Sequence, residues 1–362
     1  MRLEPPAPDT LSPAQLAIIG AAQADALAHL DPCATLLLHS PQLAIRMQRI
    51  GQCVRLHNSL PALIRELAVL VTARYWSSAP LWHAHRPLAL AAGLDAGFAD
   101  DIAGGGTPRA TTSAVETALR FCTELHRDKS VSDAAYFAAA GAFGETGVVD
   151  LIGLCGYQSL ACMCLNLGAA DHAGPALPAV STPMPVPVPA PQRAPMANLA
   201  REHMSGAQRS ASDQLCANGK SVSIPMQVFL RSPALALASQ SVSEYLRLEA
   251  PLASQIAEFC ISITGKYWGA ATMWKSHSAQ AIKLGVRPET ISQLEQGKRP
   301  AGMTPEQAAA HDFCTELHWK KTVPDTVLQA ALVQFGHERT VELVGVCAYY
   351  TLSAMILNTG RR

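Results

Sequence analysis

Two glutamates in this chain lie among apolar side chains, and each is followed by a histidine. Glu66 precedes His85, and Glu258 precedes His277. A carboxylate in apolar surroundings is costly unless it is paired, so the pKa of such a group is expected to rise. Beside a histidine, such a group can move protons near neutral pH. These four residues are therefore the candidate catalytic residues.

A structural role is the alternative for both residue types. Arg65, Arg74 or Lys266 lies close enough in sequence to partner a glutamate as a purely structural ion pair. A lone histidine is also commonly a hydrogen-bonded core group. The recurrence of the glutamate together with the histidine favours chemistry, but it does not remove the structural alternative.

Aromatic and cationic residues accompany the same stretches. Each histidine follows a tryptophan by about one helical turn, so the two share a helix face. The candidate substrate-binding residues are Trp76, Trp82, Arg74, Trp268, Trp274 and Lys266. The tryptophans could equally be plain core, and the cations a solvated helix end. His83 and His85 lie on different helix faces, so we expect neither a metal nor another cofactor.

The chain repeats itself at a spacing of 192 residues (277 − 85 = 192). The string from Phe121 to His126 recurs unchanged from Phe313 to His318, and Phe143-Gly144 recurs as Phe335-Gly336. Such a period is too long for a solenoid, whose repeats run to roughly 20–50 residues. The register is kept without a gap over more than a hundred residues, which indicates a duplicated domain.

Composition excludes several classes of function. The chain has 362 residues, 49% of them apolar and 15% charged, and its net charge is zero. This is the composition of a well-buried globular protein with no basic patch, so we expect neither nucleic acid nor a membrane surface as partner. The ten cysteines are scattered in alanine- and leucine-rich surroundings and are typical of a reducing compartment. With no secretory signal at the N-terminus, we expect a cytoplasmic protein.

Helical patterns predict an all-α fold with a simple domain order. Residues 1–35 form an N-terminal helical extension, 36–172 and 199–362 the two repeated domains, and 173–198 a proline-rich linker. Ser12-Pro13 opens a first helix, and helices are expected at 60–76, from Pro80 to Gly93, at 112–126, at 133–143 and after Val148. Residues 95–108 are interpreted as a helix end with a glycine-rich turn. The uncharged segment 151–170 is long enough to span a membrane, although a buried helix or an oligomer interface explains it as well.

The ordered set of motifs resembles the carboxymuconolactone decarboxylase family. The residues that carry the resemblance are Arg65 to Leu70, Tyr75-Trp76, Trp82-His83-Ala84-His85, Val131 to Ala134, Phe143-Gly144 and Val148 to Tyr157. The second copy carries the same marks more loosely. The resemblance implies two tandem alkylhydroperoxidase-D-like helical domains. It also implies a homo-oligomer, with a trimer of this chain imitating a hexamer of single domains.

The chain departs from this family at two places that matter for chemistry. Thiol peroxidases of the superfamily carry Cys-x-x-Cys between the glutamate and the histidine, where this chain has Ser78 and Leu81, then Ala270 and Met273. Decarboxylase-like members carry a glutamate directly before the tryptophan, a position that Leu81 and Met273 take here. Peroxide reduction and the decarboxylation of carboxymuconolactone itself are therefore disfavoured.

Three hypotheses follow from the sequence. The first is a cofactor-free lyase or isomerase that moves protons on a small carboxylated or lactone substrate through the Glu–His pairs, with the first copy as the active one. The second is a catalytically degenerate member that binds a ligand or serves as a scaffold. The third, an antioxidant peroxidase, would have to rely on Cys122 and Cys314, which are more simply explained as isolated packing residues.

Overall fold

The computed structural model describes residues 3–24, 32–106, 108, 112–168, 176–177, 196–217 and 221–361. Over these residues the chain is all-α, as predicted: it has sixteen α-helices and no strand, apart from an isolated bridge between Leu3 and Gly168. The proline-rich stretch 183–191 lies outside the described residues, as does most of the predicted linker.

Eight helices precede that linker. They are α1 Pro13–Ala24, α2 Pro32–Leu37, α3 Pro41–Leu56, α4 Ala62–Tyr75, α5 Ala79–Ala91, α6 Ala96–Ala103, α7 Ser113–Arg127 and α8 Asp133–Leu167. Helix α1 begins as predicted, because Ser12 and Gln15 exchange hydrogen bonds of 2.7 and 3.3 Å across its first turn.

Eight further helices follow. They are α9 Gly206–Leu215, α10 Ile224–Phe229, α11 Pro233–Glu244, α12 Ser254–Trp268, α13 Ala271–Lys283, α14 Pro288–Glu295, α15 Pro305–Thr315 and α16 Asp325–Gly360. A π-helical turn follows α11 at Tyr245–Glu249 and another follows α15 at Glu316–Lys320. Six of these helices, α11 to α16, stand close to 192 residues after α3 to α8.

One helix was missed from the sequence. Residues 95–108 are not merely a helix end and a turn, because Ala96–Ala103 forms α6. Asp95 caps it by accepting a hydrogen bond of 2.9 Å from the Phe98 backbone N–H. The helix is only eight residues long, too short for its periodicity to stand out from the glycines that follow.

The two long helices each bend at a glycine. Helix α8 is interrupted at Gly144, with φ 69° and ψ 171°, and α16 at Gly336, with φ 68° and ψ −177°. Positive φ is readily adopted by glycine alone, so the repeated Phe-Gly dipeptides mark these kinks. Both helices are long and apolar enough to cross a membrane, yet the apolar window of each is buried within the fold. That is the pattern of a core helix.

The chain divides into two compact units, and neither coincides with one sequence copy. Unit 1 comprises residues 1–48, 163–171 and 241–354, and unit 2 comprises 49–162, 172–240 and 355–362. In unit 2, helix α4 packs against α5, α6 and α7; in unit 1, α12 packs against α13, α14 and α15. Helix α4 is buried nearly all round, as its sequence predicts for a central helix.

Each unit is completed by a helix from the other sequence copy. In unit 2, Leu235 of α11 lies so close to Gly153 of α8 that a Cβ there would stand 2.5 Å from its Cδ2. In unit 1, Leu43 of α3 meets Gly345 of α16 at the same 2.5 Å. The predicted domain bounds therefore describe the sequence copies, whereas packing exchanges a helix between them.

Candidate active site

A tight turn brings each glutamate to its histidine. Helix α4 ends at Tyr75 and is capped by Trp76. Ser77 takes a left-handed φ of 51°, and the Ser78 backbone N–H donates to the Ala73 carbonyl at 2.9 Å. In the second copy Gly269, with φ 61°, makes the corresponding turn before α13. At this helix ending, backbone N–H groups of the turn donate to the last carbonyls of the helix, and the chain reverses direction. As a result, α5 packs against α4, and α13 packs against α12.

The first predicted pair is formed in unit 2. The His85 Nδ1 lies 2.8 Å from the Glu66 Oε2. The Glu66 side chain is 18% exposed and that of His85 is 9% exposed. Within the described part of the chain, His85 is the polar partner of this carboxylate, and its second oxygen makes no further hydrogen bond or ion pair.

The second predicted pair is formed in unit 1 and is held more tightly. The His277 Nδ1 lies 2.6 Å from the Glu258 Oε2, and the Arg247 Nε donates to the other oxygen, Oε1, at 2.9 Å. The Glu258 side chain is only 4% exposed. The ring of Tyr350 stands edge-on to His277, with centroids 5.3 Å apart. Both carboxylate oxygens are therefore occupied.

The expected rise in carboxyl pKa is wrong for Glu258. Burial opposes its charge, but the hydrogen bond and charge of His277 and the charge of Arg247 outweigh burial and lower its pKa. The sequence-based expectation counted the apolar neighbours in sequence and not the partner arginine. This carboxylate is held as an anion.

Arg247 is the partner of Glu258 that sequence reasoning missed. It lies 11 residues before Glu258, on the π-helical turn and well before the Tyr267-Trp268 stretch. Its equivalent in the first copy is Arg55 (247 − 192 = 55), whose guanidinium lies over the Tyr157 ring, 5.7 Å from its centroid. The arginine at the same register in both copies was the available signal.

Two of the four predicted tryptophans are core braces. The indole N–H of Trp76 donates to the Ser159 Oγ at 2.9 Å, and that of Trp268 donates to the Thr351 Oγ1 at 3.0 Å. Trp76 is fully buried and Trp268 is 1% exposed. Each therefore ties the central helix of its unit to the long kinked helix.

The remaining candidate binding residues lie in mixed surroundings. Trp82 is buried, and Trp274 is partly exposed beneath the Lys266 ammonium, which lies 5.8 Å from its ring centroid. Lys266 donates to the Glu295 carbonyl at 2.6 Å, so it is not the partner of Glu258. Arg74 is buried, and burial lowers its pKa. The cation before Tyr75 is therefore not a solvated helix end, whereas Lys266 is exposed.

A second buried cluster uses the repeated Phe-Cys-Thr-Glu-Leu-His string. Cys122 is not isolated, because its Sγ lies 3.6 Å from that of Cys155. His126, from the same string, shares a hydrogen bond of 2.9 Å with the Thr72 Oγ1. Contact with Cys155 and burial raise the pKa of the Cys122 thiol. The pKa of the Cys155 thiol is lowered instead, to about 5, chiefly by its hydrogen bond with Cys122 and against the effect of burial. Both side chains are fully buried, so the pair is shielded from solvent and packs as part of the core.

The second copy repeats this cluster. Cys314 and Cys347 lie with their sulfurs 3.3 Å apart, and His318 bonds the Thr264 Oγ1 at 2.9 Å. Of the nine described cysteines, Cys53 is partly buried, Cys216 is exposed and the other seven are buried. This agrees with the expectation that most cysteines are small core residues.

The described residues hold no candidate metal cluster, and the groove that they form lies away from the Glu–His pairs. Over the described residues, no group of three or more His, Cys, Asp or Glu side chains is placed to hold a metal ion. An open groove of about 470 Å³ lies between α15 and α16, lined among others by Pro305, Asp312 and Val333. None of the candidate catalytic residues lines this groove.

Comparison with models of protein families, with curated proteins and with solved structures finds no match for this chain. Its function is therefore argued from the side chains themselves.

Proposed function

We propose that this chain is a cofactor-free proton-transfer enzyme of the lyase or isomerase type. It acts at Glu66 and His85 on a small carboxylated or lactone substrate. The single observation that carries the proposal is the 2.8 Å contact between the Glu66 Oε2 and the His85 Nδ1, in a carboxylate that keeps an oxygen without a described partner and an 18% exposed side chain. A pair that is bound together and still reachable from solvent suits proton exchange.

The hydrogen bond sets the role of each partner. With Glu66 ionised, the His85 Nδ1–H donates to it, and the other ring nitrogen, Nε2, carries the lone pair. That nitrogen can take a proton from a carbon next to a substrate carbonyl and return it elsewhere, while Glu66 orients the ring and stabilises the imidazolium. In a lyase reaction the same imidazolium would protonate the carbon from which carbon dioxide leaves.

The second pair supports a different role. Glu258 is bound on one side by His277 and on the other by Arg247, and it is nearly inaccessible. Arg247 favours the ionised carboxylate, which therefore does not readily exchange a proton. We propose that this site is structural, or binds a ligand without turnover, and that the degenerate alternative applies to the second copy.

Membership of the carboxymuconolactone decarboxylase family, with two tandem alkylhydroperoxidase-D-like domains, belongs to this proposal. The ordered motifs and the recurrence of the helices near a 192-residue spacing support it. Leu81 and Met273, which stand where related enzymes carry an acid before the tryptophan, are buried and apolar. The reaction proposed here therefore depends on the Glu–His pair without an additional acid at that position. The trimeric assembly is proposed on the same resemblance. The cytoplasmic location is proposed on the scattered cysteines, which are typical of a reducing compartment.

The decisive experiment follows solvent deuterium. A panel of small lactones and aromatic-derived carboxylic acids is incubated with the protein in D₂O, and exchange at carbon is followed by proton NMR. We expect Glu66→Gln to slow exchange by about 10²–10⁴-fold, the usual contribution of a positioned acid or base. The matched variant Glu258→Gln should retain it.

Three other outcomes would contradict the assignment. Undiminished exchange in Glu66→Gln refutes a role for that carboxylate. Loss in Glu258→Gln alone moves the chemistry to unit 1. Binding of a panel member that is equal in native protein and Glu66→Gln, with no exchange in either, replaces the enzyme by the ligand-binding alternative.

A further inference from the structure

A pair of stacked histidines lies in unit 1, away from both Glu–His pairs. The ring of His39, in the turn between α2 and α3, stacks on that of His337 in α16, with centroids 5.0 Å apart and planes 28° apart. The His39 Nε2 lies 2.7 Å from the Glu4 carbonyl oxygen. The pair therefore joins the N-terminal segment, the start of α3 and the long helix α16.

The equivalent positions in unit 2 carry an ion pair. The offset relates His39 to Arg231 (39 + 192 = 231) and His337 to Glu145 (337 − 192 = 145). The Arg231 Nε donates to the Glu145 Oε2 at 2.6 Å, and its Nη2 donates to the Ala197 carbonyl at 2.9 Å. Both units thus use one side chain to bind a long helix and an upstream backbone carbonyl.

The two versions of this contact respond differently to acid. Guanidinium and carboxylate keep their charges throughout the range from about pH 5 to 8, whereas histidine changes its charge within it. A proton on His39 would place a charge in partly buried surroundings, next to the His337 ring, whose own charge opposes it.

The effect on the folded state has a definite sign. Burial lowers the pKa of His39, the bond to the Glu4 carbonyl raises it, and the charge of His337 lowers it, with a net decrease. A histidine whose pKa is lowered in the folded state takes up a proton on opening, so stability falls as the pH drops through the unfolded value near 6.5. Once the pH is below the pKa of His39 in the folded state, the stability does not fall further.

The neighbouring charges do not remove this effect. On α16, Glu338 follows His337, and the buried Glu342 is bound by Ser40, Tyr245 and the Leu252 backbone N–H. On α3, Arg46 pairs with Glu249 at 3.1 Å. His337 is exposed, as Glu145 is at 47%, so water screens the repulsion and keeps the effect moderate.

We propose that the His39–His337 contact is an acid-sensitive latch of unit 1. On mild acidification it loosens the N-terminal segment and α16, while unit 2, which carries an arginine–glutamate pair at the same positions, stays closed. The unit that contains Glu258 and His277 thereby acquires a pH response that the unit containing Glu66 and His85 does not share. This inference does not depend on the proposed activity.

Hydrogen exchange of the full chain at pH 7.5 and 5.5 tests the latch, after correction for the intrinsic exchange rate. Peptides from residues 35–48 and 330–345 report unit 1, and those from 137–152 and 224–240 report unit 2. We expect the opening of unit 1 to increase several-fold on acidification, against a ceiling of about tenfold per pH unit for uptake of one proton. Unit 2 should change far less.

Two variants make the result specific. The double variant His39→Arg/His337→Glu copies the ion pair of unit 2 and should abolish the extra opening of unit 1. The milder His337→Gln removes one imidazole, should raise the pKa of His39 in an NMR titration, and should reduce the opening. Two results would overturn the proposal. One is an equal increase in opening of the two units in native protein on acidification. The other is a His337→Gln variant in which both the acid-induced opening of unit 1 and the pKa of His39 are unchanged.

Discussion

Replacing Arg247 tests whether the second Glu–His pair is held by its arginine. The Arg247 Nε donates to the Glu258 Oε1 at 2.9 Å. A hydrogen bond to a charged group contributes about 1.5–3 kcal/mol, and since the Arg247 side chain is 40% exposed, screening by water reduces this to about 1 kcal/mol. We therefore expect Arg247→Leu to lower the free energy of unfolding of unit 1 by about 1 kcal/mol at pH 7.

The pH dependence of this loss has a predictable direction. Burial opposes the charge of Glu258, but His277 and Arg247 outweigh it and hold its pKa below the ordinary value of a glutamate. A carboxyl group of this kind stabilises the folded state above its unfolded pKa, and the stabilisation is lost as the pH falls through the folded value. The difference in the free energy of unfolding between native protein and Arg247→Leu should therefore have its full value at pH 7. It should disappear once the pH is low enough to protonate Glu258 in the folded state.

A double-mutant cycle separates this interaction from packing by the arginine stem. Arg247→Leu, Glu258→Gln and the double variant are compared through hydrogen exchange of the α12 amides, because two compact units make a single global unfolding curve unsafe. The expected coupling is about 1 kcal/mol at pH 7. A coupling of zero at pH 7, or one that persists unchanged below the folded pKa of Glu258, would refute the reasoning.

Two further predictions concern the long helices. Gly144→Ala should destabilise the protein by about 1–3 kcal/mol, because Gly144 has φ 69° although nothing lies within 4 Å of a Cβ there. The control Gly141→Ala, in the regular part of α8, should be neutral or stabilising by up to about 1 kcal/mol, and equal effects of the two variants on hydrogen exchange of the α8 amides would disprove backbone strain. Trp76→Phe should cost about 1–3 kcal/mol by removing the donor to Ser159, with a smaller loss when Ser159→Ala is added. No recovery in the double variant would mean that this hydrogen bond is not responsible.

The all-α fold class could be predicted because the sequence signals of a helix depend only on residues that are close together in the chain. Apolar periodicity and the Ser12-Pro13 start of α1 each depend on a few neighbouring residues. The kink at Gly144 was not predicted: the sequence suggested two separate helices, 133–143 and one after Val148, where the structure has the single bent helix α8. Helix α6 was missed because eight residues give the period little room to show. The exchange of α3 and α11 between the sequence copies could not be predicted from the sequence. It depends on contacts of Leu43 with Gly345 and of Leu235 with Gly153, which are far apart in the chain.

The candidate site was predictable to the extent that the repeat duplicated it. Glu66 with His85, and Glu258 with His277, were selected from recurrence, and the structure brings both pairs within hydrogen-bonding distance. What recurrence could not give was the state of each carboxylate. The ionisation of each carboxylate depends on whether an arginine contacts it. Arg247 reaches Glu258 from a π-helical turn, and the periodicity of the sequence does not predict that turn.

The two sites therefore form an internal comparison within one chain. Both have a glutamate on the central helix and a histidine on the next, joined by the same kind of helix ending. They differ at the equivalent positions 158 and 350 (350 − 192 = 158), where Gln158 in the first copy corresponds to Tyr350 against His277 in the second. They differ also in where the arginine goes, to the Tyr157 ring or to Glu258. Because the helices match, we expect a difference in activity between Glu66→Gln and Glu258→Gln to follow these partners, so that exchanging Gln158 with Tyr350 and redirecting the arginine should transfer the activity from one site to the other.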